Sequence, residues 1–190
     1  MRQTLGHRSF AFFNYYLFMH TSSIRQNILA ELDHELAQTR KTLERLPEDK
    51  FDYTPHPRSM PLGKLAAHIV NLLGFKQLFV QASHRDFLDQ NAPKPGPTPT
   101  TVAELLERFD TNAASLRKAL QETNDEALTQ SFQLRRGEQV LMDRPRAAAL
   151  RIMGLNHSIH HRGQLSVYMR LLDIPVPGLY GPSADEQGSF

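Results

Sequence analysis

The stretch LRIMGLNHSIHHRGQLSVYMRLL, which runs from Leu150 to Leu172, decides the fold. Apolar residues recur in it at every third or fourth position, which is the spacing of one buried stripe on an α-helix. Two of its histidines are four residues apart, so they project from the same face about one helical turn apart. The stretch therefore predicts an amphipathic helix whose buried face carries two imidazoles. The predicted stripe consists of Leu150, Met153, His157, His161, Gln164, Tyr168 and Leu171.

This helix is the longest that the sequence predicts. We expect it to begin at Asp143, because proline is tolerated in a first helical turn and Pro145 would stand there. It should end near Leu172, since Pro175 and Pro177 cannot continue a helix.

Three earlier helices follow from the same periodicity. The first is predicted from Ser22 onward and ends at Pro47. The second should have Ser59 as its N-cap and continue to about Phe87. The third should have Thr101 as its N-cap, with the glutamate three residues later reaching back in a capping box.

Four amphipathic helices without a strong strand signal predict an all-α protein, a four-helix bundle. One segment, SFQLRRGEQVLM, alternates on either side of Arg136-Gly137 and is interpreted as a short hairpin. The C-terminal tail IPVPGLYGPSADEQGSF has too much proline and glycine for a helix. It should lie across the bundle as an ordered loop or fray.

Residues 1–20 are excluded from the bundle, which we place in a single domain over residues 21–190. Basic residues precede a short apolar run there, as in a secretory signal, but Asn14 interrupts the run and no A-x-A site follows. The run is also shorter than the roughly 20 residues that a bilayer crossing needs. We interpret the segment as a disordered leader, or as an upstream start where translation really begins at Met19. No membrane partner is expected, and the predicted location is the cytoplasm.

The amino-acid composition limits the possible metal ligands and functions of the protein. The chain has no cysteine, which excludes disulfides, a thiolate nucleophile and sulfur-bound zinc. The formal charge is only +2, with basic and acidic residues interspersed, so no nucleic-acid footprint is present. Any metal must therefore be held by His, Asp or Glu.

A third histidine, His68, occupies a core-facing position of the second helix, between Leu65 and Leu72. Together with His157 and His161 it forms a candidate metal site, because one divalent ion would satisfy three imidazoles that otherwise each need a buried partner. The alternative is three separately satisfied core histidines.

The remaining histidines are weaker candidates. His160 falls roughly 80° from the centre of the stripe and is left outside the site, although a pair of His157 and His160 could also reach a metal. Three more are expected to be solvated. They are His34, His56 and His84.

Three histidine ligands suit zinc, nickel, iron or manganese and leave a coordination position open. A bound ion could activate water as a nucleophile or activate the thiol of a cosubstrate. Gln164 could orient bound water or ligand, or simply be a polar residue at the bundle end. The arginines near this site are expected to be solvated rather than catalytic, and they are Arg151, Arg162 and Arg170.

The segments PHPRSMPLGKLAAHIV, NHSIHHRGQLSVYMRLLDIPVP and YGPSADE resemble the DinB/YfiT-like superfamily, whose members carry an H-x-x-x-H-R-G-Q run and a Pro-rich close. The resemblance extends from Ile24 to Glu186. It implies an up-down-down-up bundle, a metal site at His68, His157 and His161, and a homodimer. His160 stands where the family often has an aromatic residue, which leaves the second and third ligands open.

The resemblance does not decide the reaction. It implies either a thiol-dependent transferase or isomerase that uses a low-molecular-weight thiol, or a metal-dependent hydrolase, each acting on a small molecule. The alternative is a non-catalytic, stress-induced helical binding protein with a structural metal or none. A structural metal would be closed by a fourth protein ligand.

Overall fold

The computed structural model describes residues 23–92 and 94–186, so the predicted leader over residues 1–20 lies outside the described part. Three long helices come first, separated by loops that contain the prolines. They are α1 (Ile24–Leu43), α2 (Leu62–Gln81) and α3 (Val102–Glu122). A short helix that the sequence did not predict follows as α4 (Asp125–Thr129).

The last helical segment has three parts. They are α5 (Arg146–Ala149), a π-helical stretch (Leu150–Asn156) and α6 (His157–Leu171). The predicted start at Asp143 is wrong, because Asp143 to Pro145 pair with another strand instead. The segment still supplies the fourth member of a helical bundle, so the predicted arrangement of mainly helical elements is confirmed.

A three-stranded sheet makes the prediction of an all-α protein only partly right. Its strands are β1 (His84–Asp86), β2 (Ser131–Arg136) and β3 (Gln139–Pro145), in the order β1-β2-β3. β2 and β3 are antiparallel and form the predicted hairpin, in which Gly137 has a φ of 58°. β1 pairs with β2 in parallel, and this explains why α2 ends at Gln81 rather than continuing to Phe87.

The helix N-termini show how the chain satisfies its first amides. Ser23 and Gln26 form a capping box on α1, and the Thr101 side chain accepts from the amide of Glu104 on α3. The Glu104 carboxylate binds Thr100 rather than completing the predicted box.

The predicted cap of α2 at Ser59 is wrong, because the residue before α2 is Pro61, which has no side-chain acceptor. Carbonyls of the preceding loop accept from the first amides instead. The two hydrogen bonds are Leu62 N to Tyr53 O and Gly63 N to Phe51 O, both 2.9 Å long.

The buried stripe of α6 lies further round the helix than predicted. Gln164 and Leu171 are exposed, whereas Ser158 and Arg162 are buried at the centre of the stripe. These polar side chains have partners inside the bundle, and a periodicity of apolar residues cannot reveal such partners. The displacement puts His157 and His161 at the edge of the core rather than in its middle.

The chain beyond α6 folds back over the bundle. Asp173, with a φ of 56°, follows the last helical turn. The Glu186 carboxylate is 2.6 Å from Arg45, and the Asp185 carboxylate is 2.8 Å from Arg170. The tail is therefore tied to α6 and to the loop after α1. No helix in the described ranges combines the length and apolarity that a membrane crossing needs.

Gly63 at the start of α2 offers a test of this packing. A Cβ at this position would lie 2.9 Å from Phe51 Cβ and from two of its ring atoms, so Gly63→Ala forces the loop away from α2. We expect a loss of about 1–3 kcal/mol in the free energy of unfolding, measured by urea denaturation.

Gly163→Ala is the matched control, since a Cβ there would meet nothing within 4 Å. It should raise the free energy of unfolding by about 0.5–1 kcal/mol, because alanine favours a helix more than glycine does. Equal effects of the two substitutions would contradict the close approach of Phe51 to α2.

Candidate metal centre

Three imidazoles from two helices meet at one point. His68 lies on α2, while His157 and His161 lie one turn apart on α6. The Nε2 atom of His161 is 3.1 Å from that of His68 and 2.8 Å from that of His157. One nitrogen from each ring lies within 4.8 Å of the other two. The structure thus brings together the three histidines that the sequence singled out.

Burial favours the neutral form of two of these rings. The pKa of His68 is lowered below its ordinary value by burial and then by His161 and His157. The pKa of His157 is lowered by burial and by His161, which outweigh a hydrogen bond with the Met153 backbone. A neutral imidazole is the form that binds a metal.

Gln164 contacts the His161 ring at Nδ1, the nitrogen that does not face the other two histidines. Its Oε1 lies 2.7 Å from His161 Nδ1, so the amide oxygen accepts a hydrogen bond from that nitrogen. The proton on Nδ1 leaves a lone pair on Nε2, facing the other two rings. Gln164 therefore orients a histidine, as the outer partners of metal ligands commonly do.

The other histidines are not part of this group. His160 is exposed, and although its ring centroid lies 5.0 Å from that of His161, the cluster of converging nitrogens does not include it. The pair of His157 and His160 is thus not the one that the structure assembles. The histidines predicted to be solvated are exposed, namely His34, His56 and His84.

The donor set fits a divalent cation. The His161 Nε2 atom lies 2.8 Å from that of His157 and 3.1 Å from that of His68, and a cation between the three atoms would accept a lone pair from each. Zinc, nickel and iron accept such nitrogen ligands readily. Within the described ranges, the cluster contains no carboxylate and no fourth histidine.

A buried polar network lies beside these histidines, and sequence reasoning missed it. Arg162 was predicted to be solvated but is only 1% exposed. Its guanidinium lies 2.7 Å from the Glu35 carboxylate and donates to Thr39 Oγ1 and to the Tyr180 hydroxyl. The prediction of a solvated side chain is therefore wrong for Arg162, because α1 and the tail supply its partners. Arg151 and Arg170 are exposed as expected.

Lys76 on α2 belongs to the same region. It is 2% exposed and donates to Ser158 Oγ over 2.7 Å. Its stem packs against Gly154 of the π-helical stretch, where a Cβ would come within 3.2 Å of Lys76 Cγ. Burial lowers the pKa of Lys76 to about 7, with Arg162 adding to the effect and Glu35 opposing it.

One signal could have found part of this network. Glu35 and Thr39 are four residues apart on α1, as Ser158 and Arg162 are on α6, so each pair lies on one helical face. The pairing of these faces across the bundle is not visible in the sequence.

The helical bundle and the three-histidine centre define the class of protein: a helical protein in which histidines from two helices converge at the edge of the core. Residues 31–165 match the DinB superfamily. The chain therefore belongs to the DinB superfamily.

Relatives agree with this assignment. The uncharacterized protein YrdA of Bacillus subtilis (strain 168) is 26% identical over 165 residues, which cover 86% of this chain and 92% of YrdA. A DinB-like protein of Bacillus cereus has a similar structure, with 26% identity, a TM-score of 0.62, and coverage of 78% of this chain and 92% of that one.

A more distant structure shares the fold alone. YfiT from Bacillus subtilis, described as a probable metal-dependent hydrolase with an unusual four-helix bundle topology, is 11% identical with a TM-score of 0.56. The similarity covers 92% of this chain and 94% of YfiT. The fold is therefore preserved although most side chains differ.

Lys76 should make the stability of the folded protein depend on pH. Its folded pKa of about 7 lies below the ordinary value of 10.5, so the unfolded chain binds the proton more tightly. The stability of the wild type should rise as pH increases from about 7 toward 10.5. Below this window the cost of burying the charge is fully present.

Lys76→Met removes the charge and keeps the apolar stem. Its stability relative to the wild type should be highest near pH 7 and decline toward about pH 10, as measured by urea denaturation across that range. The metal centre is common to both proteins, so its contribution cancels in the difference. Parallel pH profiles would contradict a buried, proton-binding Lys76.

Proposed function

We propose that the protein is a divalent-metal-dependent enzyme that acts on a small molecule, with His68, His157 and His161 as the metal ligands. The observation that carries the proposal is the convergence of one nitrogen from each ring within 4.8 Å. Zinc, nickel, iron and manganese are the candidate metals, because each accepts imidazole nitrogen.

A catalytic role is supported by the number of ligands. A structural zinc site is closed by four protein ligands, whereas a catalytic one has three and keeps a position open. The cluster in the described part of the chain supplies three histidines and nothing else. A structural metal in a non-catalytic binding protein would need a fourth protein ligand, and residues 23–92 and 94–186 place none in the cluster.

The position of the rings supports access by a substrate. His68 and His157 are half-buried at the edge of the core, and His161 is 8% exposed. Two of the three rings are therefore partly open to solvent, which supports access by a small molecule. Gln164 holds the His161 ring in one orientation through Nδ1, which reduces the freedom that the ring would lose on binding.

We propose hydrolysis as the reaction. The likeness to YfiT, which is described as a probable metal-dependent hydrolase, supports this choice. A divalent ion in such a site lowers the pKa of bound water toward neutrality and polarises a substrate carbonyl or phosphoryl group. The neutral rings of His68 and His157 would hold the ion without first having to lose a proton. A homodimer and the absence of nucleic acid among its partners are parts of the same proposal.

Metal content is the direct test of the ligand set. Protein purified without a chelator or a metal-binding tag should contain about one divalent ion per chain by elemental analysis. His68→Ala, His157→Ala and His161→Ala should each reduce the content at least tenfold, because two imidazoles rarely retain a metal through purification.

His160→Ala is the matched control, since it removes an exposed imidazole next to the same cluster. It should keep the wild-type content. A metal-free wild type, or a loss of metal from His160→Ala equal to that from the three ligand variants, would contradict the assigned ligands.

The effect of low-molecular-weight thiols on stability distinguishes a thiol-dependent transferase from a hydrolase. If the enzyme is a hydrolase, the melting temperature of the metal-loaded protein should be unchanged by bacillithiol, mycothiol or glutathione. A stabilisation of several degrees by one of these thiols and not by the other two would favour the thiol-dependent transferase or isomerase. Stabilisation that persists in His157→Ala would indicate thiol binding elsewhere on the protein.

A further inference from the structure

A second concave site lies between α2, α3 and the loop after β1. Its volume is about 710 Å³, within the range of roughly 300–1,000 Å³ that is typical of small-molecule pockets. Three of its lining residues are the cations Arg85, Lys94 and Arg108, and none of its lining residues is acidic. The lining of the pocket therefore carries a net positive charge, which favours anionic ligands.

Arg85 is a half-buried cation on the pocket wall. Its Nε is closed off from solvent and has no hydrogen-bond partner among the described residues. The neighbouring acid, Asp86, accepts from the amides of Leu88 and Gly137 at 2.8 and 3.0 Å. Successive strand residues point to opposite faces, so the Asp86 side chain points away from Arg85 and towards these two amides. It therefore leaves the charge of Arg85 uncompensated.

Arg108 is held in place by the loop that closes the pocket. One terminal nitrogen donates to Pro97 O over 2.7 Å, and the other would lie 3.6 Å from a Cβ at Gly96. Arg108 also contributes to a lowered pKa of Glu104, but that carboxylate is bound by Thr100 and does not line the pocket. The guanidinium is thus fixed without being neutralised from within the pocket.

The rest of the lining suits the organic part of a ligand. Phe75 and Leu78 provide an apolar surface. Side-chain amides surround it, from Asn71, Gln77, Gln81 and Asn112. Such a mixture, mainly apolar with a few directed polar groups, is what fixes the orientation of a small molecule.

The pocket is separate from the three-histidine centre although both use α2. Phe75 points in nearly the same direction as His68, about 20° away around the helix axis, but it lies two turns and about 10 Å further along α2. Leu78 lies about 80° and Gly74 about 120° from the direction of His68. None of the three histidines lines the pocket. Binding in the pocket therefore does not depend on the proposed metal.

We propose that this pocket binds a small organic dianion, with a phosphate or two carboxylates beside a flat apolar group. Arg85 and Arg108 pair with the negative oxygens, Lys94 adds a third charge at the exposed rim, and Phe75 packs against the apolar group. The site extends the chemistry of the protein beyond the metal centre, because it recognises an anion without a metal.

The test is isothermal titration calorimetry of the full chain at low ionic strength, with phenyl phosphate, phthalate and benzyl alcohol as probes. At least one of the two dianions should bind. The one with the higher affinity shows whether the pocket prefers a phosphate or two carboxylates. The neutral alcohol should not bind. Arg85→Gln and Arg108→Gln should each weaken binding about tenfold, since each loses a charge-assisted hydrogen bond.

Three further variants keep the result interpretable. Lys94→Gln changes an exposed side chain that cannot disturb the core, and it should weaken binding about threefold. Arg151→Gln, a change at an exposed arginine outside the pocket, should leave binding unchanged. His157→Ala should also leave it unchanged, which separates this site from the metal centre.

If neither dianion binds, the proposal is overturned. Equal binding by benzyl alcohol, or undiminished binding by Lys94→Gln together with the two arginine variants, would do the same. Loss of binding in His157→Ala would place the anion at the three-histidine centre and also overturn the proposal.

Discussion

The buried ion pair between Arg162 and Glu35 is the interaction on which the position of the metal centre depends. Arg162 immediately follows His161, and neighbouring residues of a helix point about 100° apart. When Arg162 is directed into the core against α1, His161 is directed to the edge of the core against α2. A buried charge without its partner costs several kcal/mol, so this rotation of α6 is strongly specified. The Tyr180 hydroxyl, which donates to the same carboxylate, adds the tail to the arrangement.

Placement at the edge of the core gives the histidines two properties that a central position would not combine. Burial lowers the pKa of His68 and His157, while both rings remain partly exposed to solvent. Lys76 and Arg162 lie deeper, where Lys76 donates a hydrogen bond to Ser158 and Arg162 forms an ion pair with Glu35. The polar interior therefore supports the centre without lying between it and solvent.

Much of this organisation could be predicted from the residues alone. The long helices follow from apolar periodicity and proline, and His68 was recognisable because it takes a place where an apolar residue is expected. The hairpin followed from alternation around a glycine. The same reasoning cannot identify the partners of a buried charge. Arg162 looked like a surface residue, since its carboxylate comes from a helix more than a hundred residues earlier. Strand β1 was missed for a similar reason, because three residues form a strand only when β2 is already there to pair with them.

The most direct test of the metal centre is an anomalous-diffraction map of the metal-loaded crystal, recorded at the absorption edge of the metal that the purified protein contains. One peak should lie at about 2.0–2.2 Å from Nε2 of each of the three histidines, with solvent rather than a fourth side chain completing its coordination. A peak that is absent from this position, or one closed by a fourth protein ligand, would contradict the account of an open, catalytic three-histidine centre.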